Sequence, residues 1–326
     1  MADLFSIGKS GLQAYRQALG VTGQNIANIN TDGYKRREAE MEELGVGSAG
    51  IYSTGKSTGL GVRVTEINRA FDEFLLNKAR NATSNASSAN VFSSAMQQIE
   101  DIILPGDANL GAAIGRFFTA LQEVSSTPSD LTGRTVALEQ AKQMTAEFTQ
   151  LANNLENFKE SMARQATNEV AKVNTLTKAL SNINIDLSGG KATNSMLDAR
   201  DGTIDELNKF AQVHVKIDSS NTVEITLGNI DNGPRLLSAN KPKTLRVNAA
   251  PDRLNFSVTD GVNIISTNQI TGGAVEGYAS AYAEADGLIN KIDDLAFLLT
   301  KEINAIHQQG IDLNHSFGKK FFQDLE

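Results

Sequence analysis

The chain has 326 residues, 40% hydrophobic and 21% charged, with a formal net charge of −8. This is enough apolar material for two or three packed domains and excludes a disordered polyanion, while the negative balance argues against a nucleic-acid binder, which needs a basic face for phosphates. Cysteine is absent, so disulfides, thiolate metal sites and cysteine nucleophiles are excluded as well.

The first ten residues lack a basic stretch followed by an apolar one, so no cleaved secretory signal is expected. No run approaches the ~20 apolar residues that span a bilayer, and membrane insertion is not expected either. Residues 3–29 read as a helix. Phe5, Leu12, Leu19 and Ile26 recur every seven residues, with Tyr15 and Ile29 on the same side. That spacing is coiled-coil-like and demands a partner helix. Gly11, Gly20 and Gly23 each weaken the helix by ~1 kcal/mol relative to Ala. A turn rich in Asn, Asp and Gly follows at Asn28–Tyr34.

Residues 38–68 form a Gly/Ser-rich connector with two short β-like pieces, around Ile51-Tyr52 and Val62–Ile67. The only dense basic cluster, Lys35-Arg36-Arg37, runs straight into Glu38, Glu40, Glu42 and Glu43 and reads as a solvated loop. Helical periodicity resumes at Phe71 and stops at Pro105-Gly106. A second helix carries Leu110, Ile114, Phe117, Leu121 and Val124 and ends before Pro128. From Arg134 to Ser188 there is no Gly or Pro and the apolar spacing stays helical. Such a helix would be ~80 Å long, a length typical of elongated bundles.

After Gly189-Gly190 the period becomes two. Val213, Val215 and Ile217 alternate, as do Val223, Ile225 and Leu227, then Leu254, Phe256 and Val258, with Asp260-Gly261 as a hairpin signal. Helix returns at about Tyr282 and stops at Gly310. The predicted fold class is mainly α with an inserted β-rich domain: an elongated long-helix bundle plus a terminal coiled-coil-like helix. The limits that follow are 1–37 for the terminal helix and turn, 38–70 for the connector, 71–188 and 282–310 for the bundle, 189–281 for a β-rich outer domain and 311–326 for the start of a C-terminal region.

Nothing assembles a catalytic constellation. His214, His307 and His315 show no metal-binding spacing. Asp312, Asn314 and Ser316 mimic the first ligands of a calcium loop, but Phe317 stands where that loop needs glycine and Gln323 where it needs glutamate. Gly59-Leu-Gly61 lacks the third glycine of a dinucleotide fingerprint. The Asp/Arg cluster Leu197–Asp201 reads as a structural ion pair or cap; a hydrolase using Asp198 or Asp201 is the formal alternative. No catalytic, cofactor or metal site is therefore expected, and the chain is read as a non-enzyme.

Ser10–Leu19, followed by Asn25-Ile-Ala-Asn-Ile-Asn-Thr-Asp-Gly-Tyr34, resembles the N-terminal signature of the flagellar rod, hook and hook-associated family. Its core pattern is present as Ala27, Asn28, Thr31, Gly33 and Tyr34. The signature is shared across the family. The long helical middle, Leu197–Asp201, and Glu302–Asn314 resemble specifically the hook-associated proteins that join hook to filament.

The resemblance implies an extracellular structural subunit of the bacterial flagellum, exported by the flagellar type III apparatus without a cleaved signal. Its subunits would form a ring between hook and filament, together with a second hook-associated junction protein, with the hook protein as a further partner. The Phe5/Leu12/Tyr15/Leu19/Ile26/Ile29 seam would pack against a C-terminal helix and neighbouring subunits. Relatives continue past a point like Phe321-Phe322 into a heptad-rich helix. A chain stopping at Glu326 is therefore expected to be shortened or to be a variant that uses another partner, with residues 1–30 held loosely or stabilised by something other than that helix. The family's export-chaperone site lies towards the missing end, which puts chaperone binding in question. The alternatives are a hook or rod subunit, or an outward-facing binding module that uses loops Asn229–Pro234 and Asn248–Asp252.

Overall fold

The computed structural model describes residues 4–31, 33–44, 61–106, 109–190, 192–268, 270–312 and 315–323. The chain opens with helix α1 (Leu4–Ala27) and the strands β1 (Arg37–Glu43) and β2 (Val62–Arg69). The helices α2 (Glu73–Ile103), α3 (Leu110–Ser126), α4 (Leu131–Ser188) and α5 (Asn194–Phe210) follow. Seven short strands come next: β3 (Val213–Ile217), β4 (Val223–Leu227), β5 (Arg235–Ser238), β6 (Lys241–Pro242), β7 (Thr244–Ala249), β8 (Leu254–Thr259) and β9 (Ile264–Thr267). The last element is helix α6 (Gly273–Gln309).

Four of the helices start where a short polar side chain can accept an orphan backbone N–H. Asp72 caps α2 through Leu75 N, Asn109 caps α3 through Ala112 N, Asp130 caps α4 through Thr132 N and Gly133 N, and Thr193 caps α5 through Met196 N. α6 starts differently. Gly272 and Gly273 both lie at positive φ, 72° and 75°, and a side chain on Gly273 would run into Phe210 O at 2.4 Å. α4 is the axis of the molecule, with 58 residues, about 87 Å at 1.5 Å per residue. One stripe of it, including Leu151, Leu155, Phe158, Met162, Ala166, Val170, Val173, Leu180 and Leu187, is buried along its length.

The β region forms two small antiparallel sheets, ordered β3-β4-β5-β6 and β7-β8-β9. Their apolar faces belong to the same cluster as the helices. Val213, Val215, Ile225, Leu227, Leu236, Leu245, Phe256 and Val258 pack with Leu155, Phe158, Leu180, Ile204, Ala281 and Ile289. Polar residues of α4 then tie down strand backbone. Asn174 donates to Leu245 O (2.9 Å) and accepts from Leu245 N (2.8 Å), and Asn184 does the same to Val223 (2.8 and 2.9 Å). A carboxamide carries the donor and acceptor of a peptide group, so each asparagine stands in for a neighbouring strand.

The fold is mainly α with an inserted β-rich region, but the β stretch is narrower than 189–281. Residues 194–210 are helical, because Ile204 and Leu207 sit on one buried face with Arg200 and Asp201. The mixture of charge and apolar residues there hid that helix from a period-two reading. α6 starts at Gly273 instead of Tyr282, since Val275, Gly277 and Ala281 already face the core. Within 38–70, β1 and β2 pair antiparallel from Arg37↔Arg69 to Glu43↔Val62. β1 escaped detection because it is four-sevenths glutamate, while the piece at Ile51-Tyr52 lies outside the described residues. The 248–252 loop is tied to helices: Tyr282 Oη donates to Ala250 O and Lys159 Nζ to Pro251 O.

A second apolar cluster closes the other end of α4. Phe117 is fully buried among Ala113, Ala141 and Met144, with Leu299, Ile303, Phe321 and Phe322 against it. Asn304 holds the returning chain there, accepting from Phe321 N and Phe322 N at 2.8 Å each and donating to Phe322 O at 2.9 Å.

Candidate assembly surface

α1 has two faces. The first carries small side chains and is covered by the hairpin of β1 and β2: Ala14 and Val21 are buried, while Ile7, Ser10 and Ala18 are half-buried. Ser10 Oγ donates to Ile7 O (2.8 Å) and accepts from Val62 N (3.1 Å). Gly61 is required at this crossing. It has φ +121°, and a Cβ there would stand 2.0 Å from Ser10 Oγ.

The opposite face carries the predicted seam. Phe5, Leu12, Tyr15, Leu19, Ile26 and Ile29 are each 64–78% exposed, and Leu4 extends the row. Five of the six lie on α1 at helical spacing and are exposed, and Ile29 follows two residues past its end. No helix among the described residues covers this row. Large apolar side chains exposed together are common at interaction sites, which makes this row a candidate assembly surface.

The turn after α1 is built by the motif residues. α1 ends at Ala27. Asn28 Nδ2 donates to Gln24 O (2.9 Å), and its Oδ1 accepts from Thr31 Oγ1 (3.1 Å). Gly33 takes φ +77°, which redirects the chain, and Tyr34 N then donates to Thr31 O (3.2 Å). Tyr34 Oη reaches back to Asn25 Oδ1 (2.9 Å). Asn25 is the hub of the turn, since its carboxamide also donates to Arg37 O and accepts from Arg37 N. Sequence reasoning quoted Asn25 without giving it a role. Nothing local to Asn25 signals a partner on the following strand.

The candidate chemical residues are dispersed or engaged. Asp198 and Asp201 face arginines: Arg69 Nη1 donates to Asp198 Oδ1 (2.8 Å) and Asp201 Oδ2 (3.0 Å), and Arg200 holds Asp201 Oδ1 through Nε and Nη2. Carboxylates so occupied make a structural ion network. Arg37, read from the sequence as part of a solvated loop, lies in β1 with its side chain mostly buried, and Arg69 carries no local signal; both lie more than 120 residues from their partners. Asp312 closes its own turn, accepting from Ser316 N at 2.8 Å, while Asn314 lies outside the described residues. His214 is in β3, His307 packs edge-on against Phe321, and His315 sits in a turn at φ +62°. Among the described residues no group of three or more His, Asp or Glu is placed to hold a metal ion, and no helix is long and apolar enough to cross a membrane.

Comparison with known proteins agrees with this anatomy. The family model described as flagellar hook-associated protein FlgK helical domain matches residues 96–322, and the one described as flagella basal body rod protein matches residues 5–35. The chain is 26% identical over 335 aligned positions to flagellar hook-associated protein 1 of Salmonella typhimurium, covering 99% of this chain and 59% of that protein. The protein of the same description from Escherichia coli K12 is 25% identical, with 99% and 60% covered, and that from Bacillus subtilis is 23% identical, with 96% and 68% covered. The chain thus spans about 59% of the length of the Salmonella relative. The solved flagellar hook junction protein FlgK from Burkholderia pseudomallei shares the fold, with a TM-score of 0.66 and 22% identity over 76% of this chain and 46% of that one. With more than half of its residues matched by the helical-domain model, the chain belongs to the flagellar hook-associated protein FlgK family.

Proposed function

We propose that the chain is a structural subunit that joins the hook of a bacterial flagellum to its filament. Its subunits form a ring between hook and filament, together with a second hook-associated junction protein. The observation that carries this reading is the apolar face of α1, exposed from Leu4 to Ile26, continued by Ile29 just past the helix and on the side away from the β1–β2 hairpin. A helix with that face in water is stabilised by burying it against other helices. A ring of subunits supplies such helices, and family membership supplies the setting, outside the cell after passage through the flagellar export apparatus. Asp198 and Asp201, the remaining enzymatic candidates, are held by arginines, which suits a scaffold.

The test is to delete the gene, image the flagella by electron microscopy and assay flagellin in the medium. Complete hooks without filaments, with flagellin in the medium, are expected. Missing or malformed hooks would place the protein in the rod or hook instead.

A further inference from the structure

α1, β1 and β2 form a unit with its own small interface. Neither apolar cluster of the molecule contains a described residue from it. The chain links it to α2 through Ala70, Phe71 and Asp72, and the side-chain hydrogen bonds and ion pairs that cross to the helical domain among the described residues converge on α5. Arg69 Nη1 bonds both Asp198 and Asp201, Arg37 Nη2 reaches Asp198 Oδ2 (3.3 Å) and Ser195 Oγ (3.4 Å), and Asn194 Nδ2 donates to Ile67 O (2.8 Å). All the acceptors and donors on the far side belong to the first two turns of α5. Arg69 also stacks over Phe71, in the linking segment itself, at 5.5 Å.

These ion pairs are dry. The Arg69 side chain is 7% exposed, Asp198 12% and Asp201 1%. Water does not screen them, and the fork of a guanidinium on carboxylates fixes direction as well as distance. The set is not closed on itself, however. Three guanidiniums, of Arg37, Arg69 and Arg200, meet two carboxylates, and Arg37 Nε is buried with no acceptor among the described residues. A partly satisfied polar network specifies a geometry while adding little net stability. Two bodies with no shared apolar cluster, joined by a short chain link and such a network, move relative to each other once the network opens.

We propose that the Arg37/Arg69–Asp198/Asp201 cluster is a latch that sets the angle of the α1 unit against the helical domain, and that it opens without unfolding either part. Arg69 and Asp198 are thus positioning residues: they aim the apolar face of α1. The inference concerns the chain itself and holds whatever that face meets.

The absence of cysteine allows a direct test. Spin labels at Gln13→Cys and Lys178→Cys, diluted with unlabelled protein, report the distance between α1 and α4. The intact latch gives one narrow distance peak. Combining Arg69→Gln with Asp198→Asn is expected to abolish that peak in favour of a broad distribution, with the far-UV circular dichroism and the melting of the helical domain unchanged. Arg80→Gln serves as the control, since Arg80 pairs with Asp205 inside the helical domain; it should lower the melting temperature and keep the narrow peak. An unchanged peak in the double variant would overturn the proposal. So would loss of helical signal together with the peak, because the cluster would then be part of the core.

Discussion

Asn25 and Arg37 are joined as two strands would be, although Asn25 lies in a helix: Asn25 Nδ2 donates to Arg37 O at 2.8 Å and Arg37 N donates to Asn25 Oδ1 at 2.9 Å. This pair closes the turn that carries the chain from α1 into β1, and Tyr34 Oη adds a third bond to the same oxygen. Asn25→Leu keeps the bulk but removes both the acceptor for Arg37 N and the donor to Arg37 O. The expected cost is about 1–3 kcal/mol, local to the terminal unit. Amide exchange at Arg37 should accelerate about 5- to 150-fold by the same estimate, with α4 amides unaffected. Unchanged protection at Arg37 would contradict the clamp.

Asn184 does for the β region what Asn25 does for the turn. It is 1% exposed and its amide satisfies both backbone groups of Val223. Asn184→Ala leaves a buried donor and acceptor without partners, for an expected loss of about 2–4 kcal/mol. Thermal melting followed by circular dichroism measures it. A loss within error would mean that solvent reaches Val223.

Gly277 lies at a close approach of α2 and α6. A Cβ there would lie 2.6 Å from Ser88 O and 2.8 Å from Val91 Cβ. Gly277→Ala would ordinarily strengthen a helix by about 0.5–1 kcal/mol. Here it is expected to cost about 1–3 kcal/mol, because the backbone at Ser88 cannot yield as a flexible side chain would. Denaturant unfolding gives the sign directly, and a stabilised variant would show that the two helices separate freely.

Lys159 supplies a pH dependence. It is buried on α4, with Nζ 2.7 Å from Asp286 Oδ1, 3.0 Å from Pro251 O and 3.4 Å from Glu156 Oε1. Burial alone would lower its pKa. The bond to Asp286 and the charges of Glu156, Asp286 and Tyr282 outweigh burial, so the pKa stands above the ordinary lysine value. A raised folded-state pKa gives stability that is fully present below the unfolded value of roughly 10.4 and is lost as pH rises through the folded value. Lys159→Met leaves Asp286 unpaired and should cost about 3 kcal/mol at neutral pH. The gap in melting temperature between wild type and variant should hold up to about pH 10 and narrow above it. A gap that stays constant through strongly alkaline pH would refute the assignment.

Periodicity made the long elements legible. The apolar spacing of α4 and the alternation of β3, β4 and β8 appear in the structure where the sequence places them, and the seam of α1 lies on one face. What stayed hidden depends on distant partners. β1 has the composition of a solvated loop and becomes a strand because β2 pairs with it. α5 hides its apolar row behind Arg200 and Asp201, whose charges make sense only once Arg69 is placed beside them. Asn25, Asn174, Asn184 and Asn304 look like ordinary polar positions on helices, and each binds the backbone of a segment that local sequence does not identify.

The most direct test of the assembly reading is to charge the seam. Leu12 and Leu19 are 76% and 71% exposed, so Leu12→Asp with Leu19→Asp should leave the melting temperature and circular dichroism of the purified chain unchanged. The same two changes, placed in the natural gene, are predicted to yield complete hooks without filaments and flagellin released into the medium. Filaments of normal length and number on those cells would contradict the account, because the exposed face of α1 would then have no part in assembly.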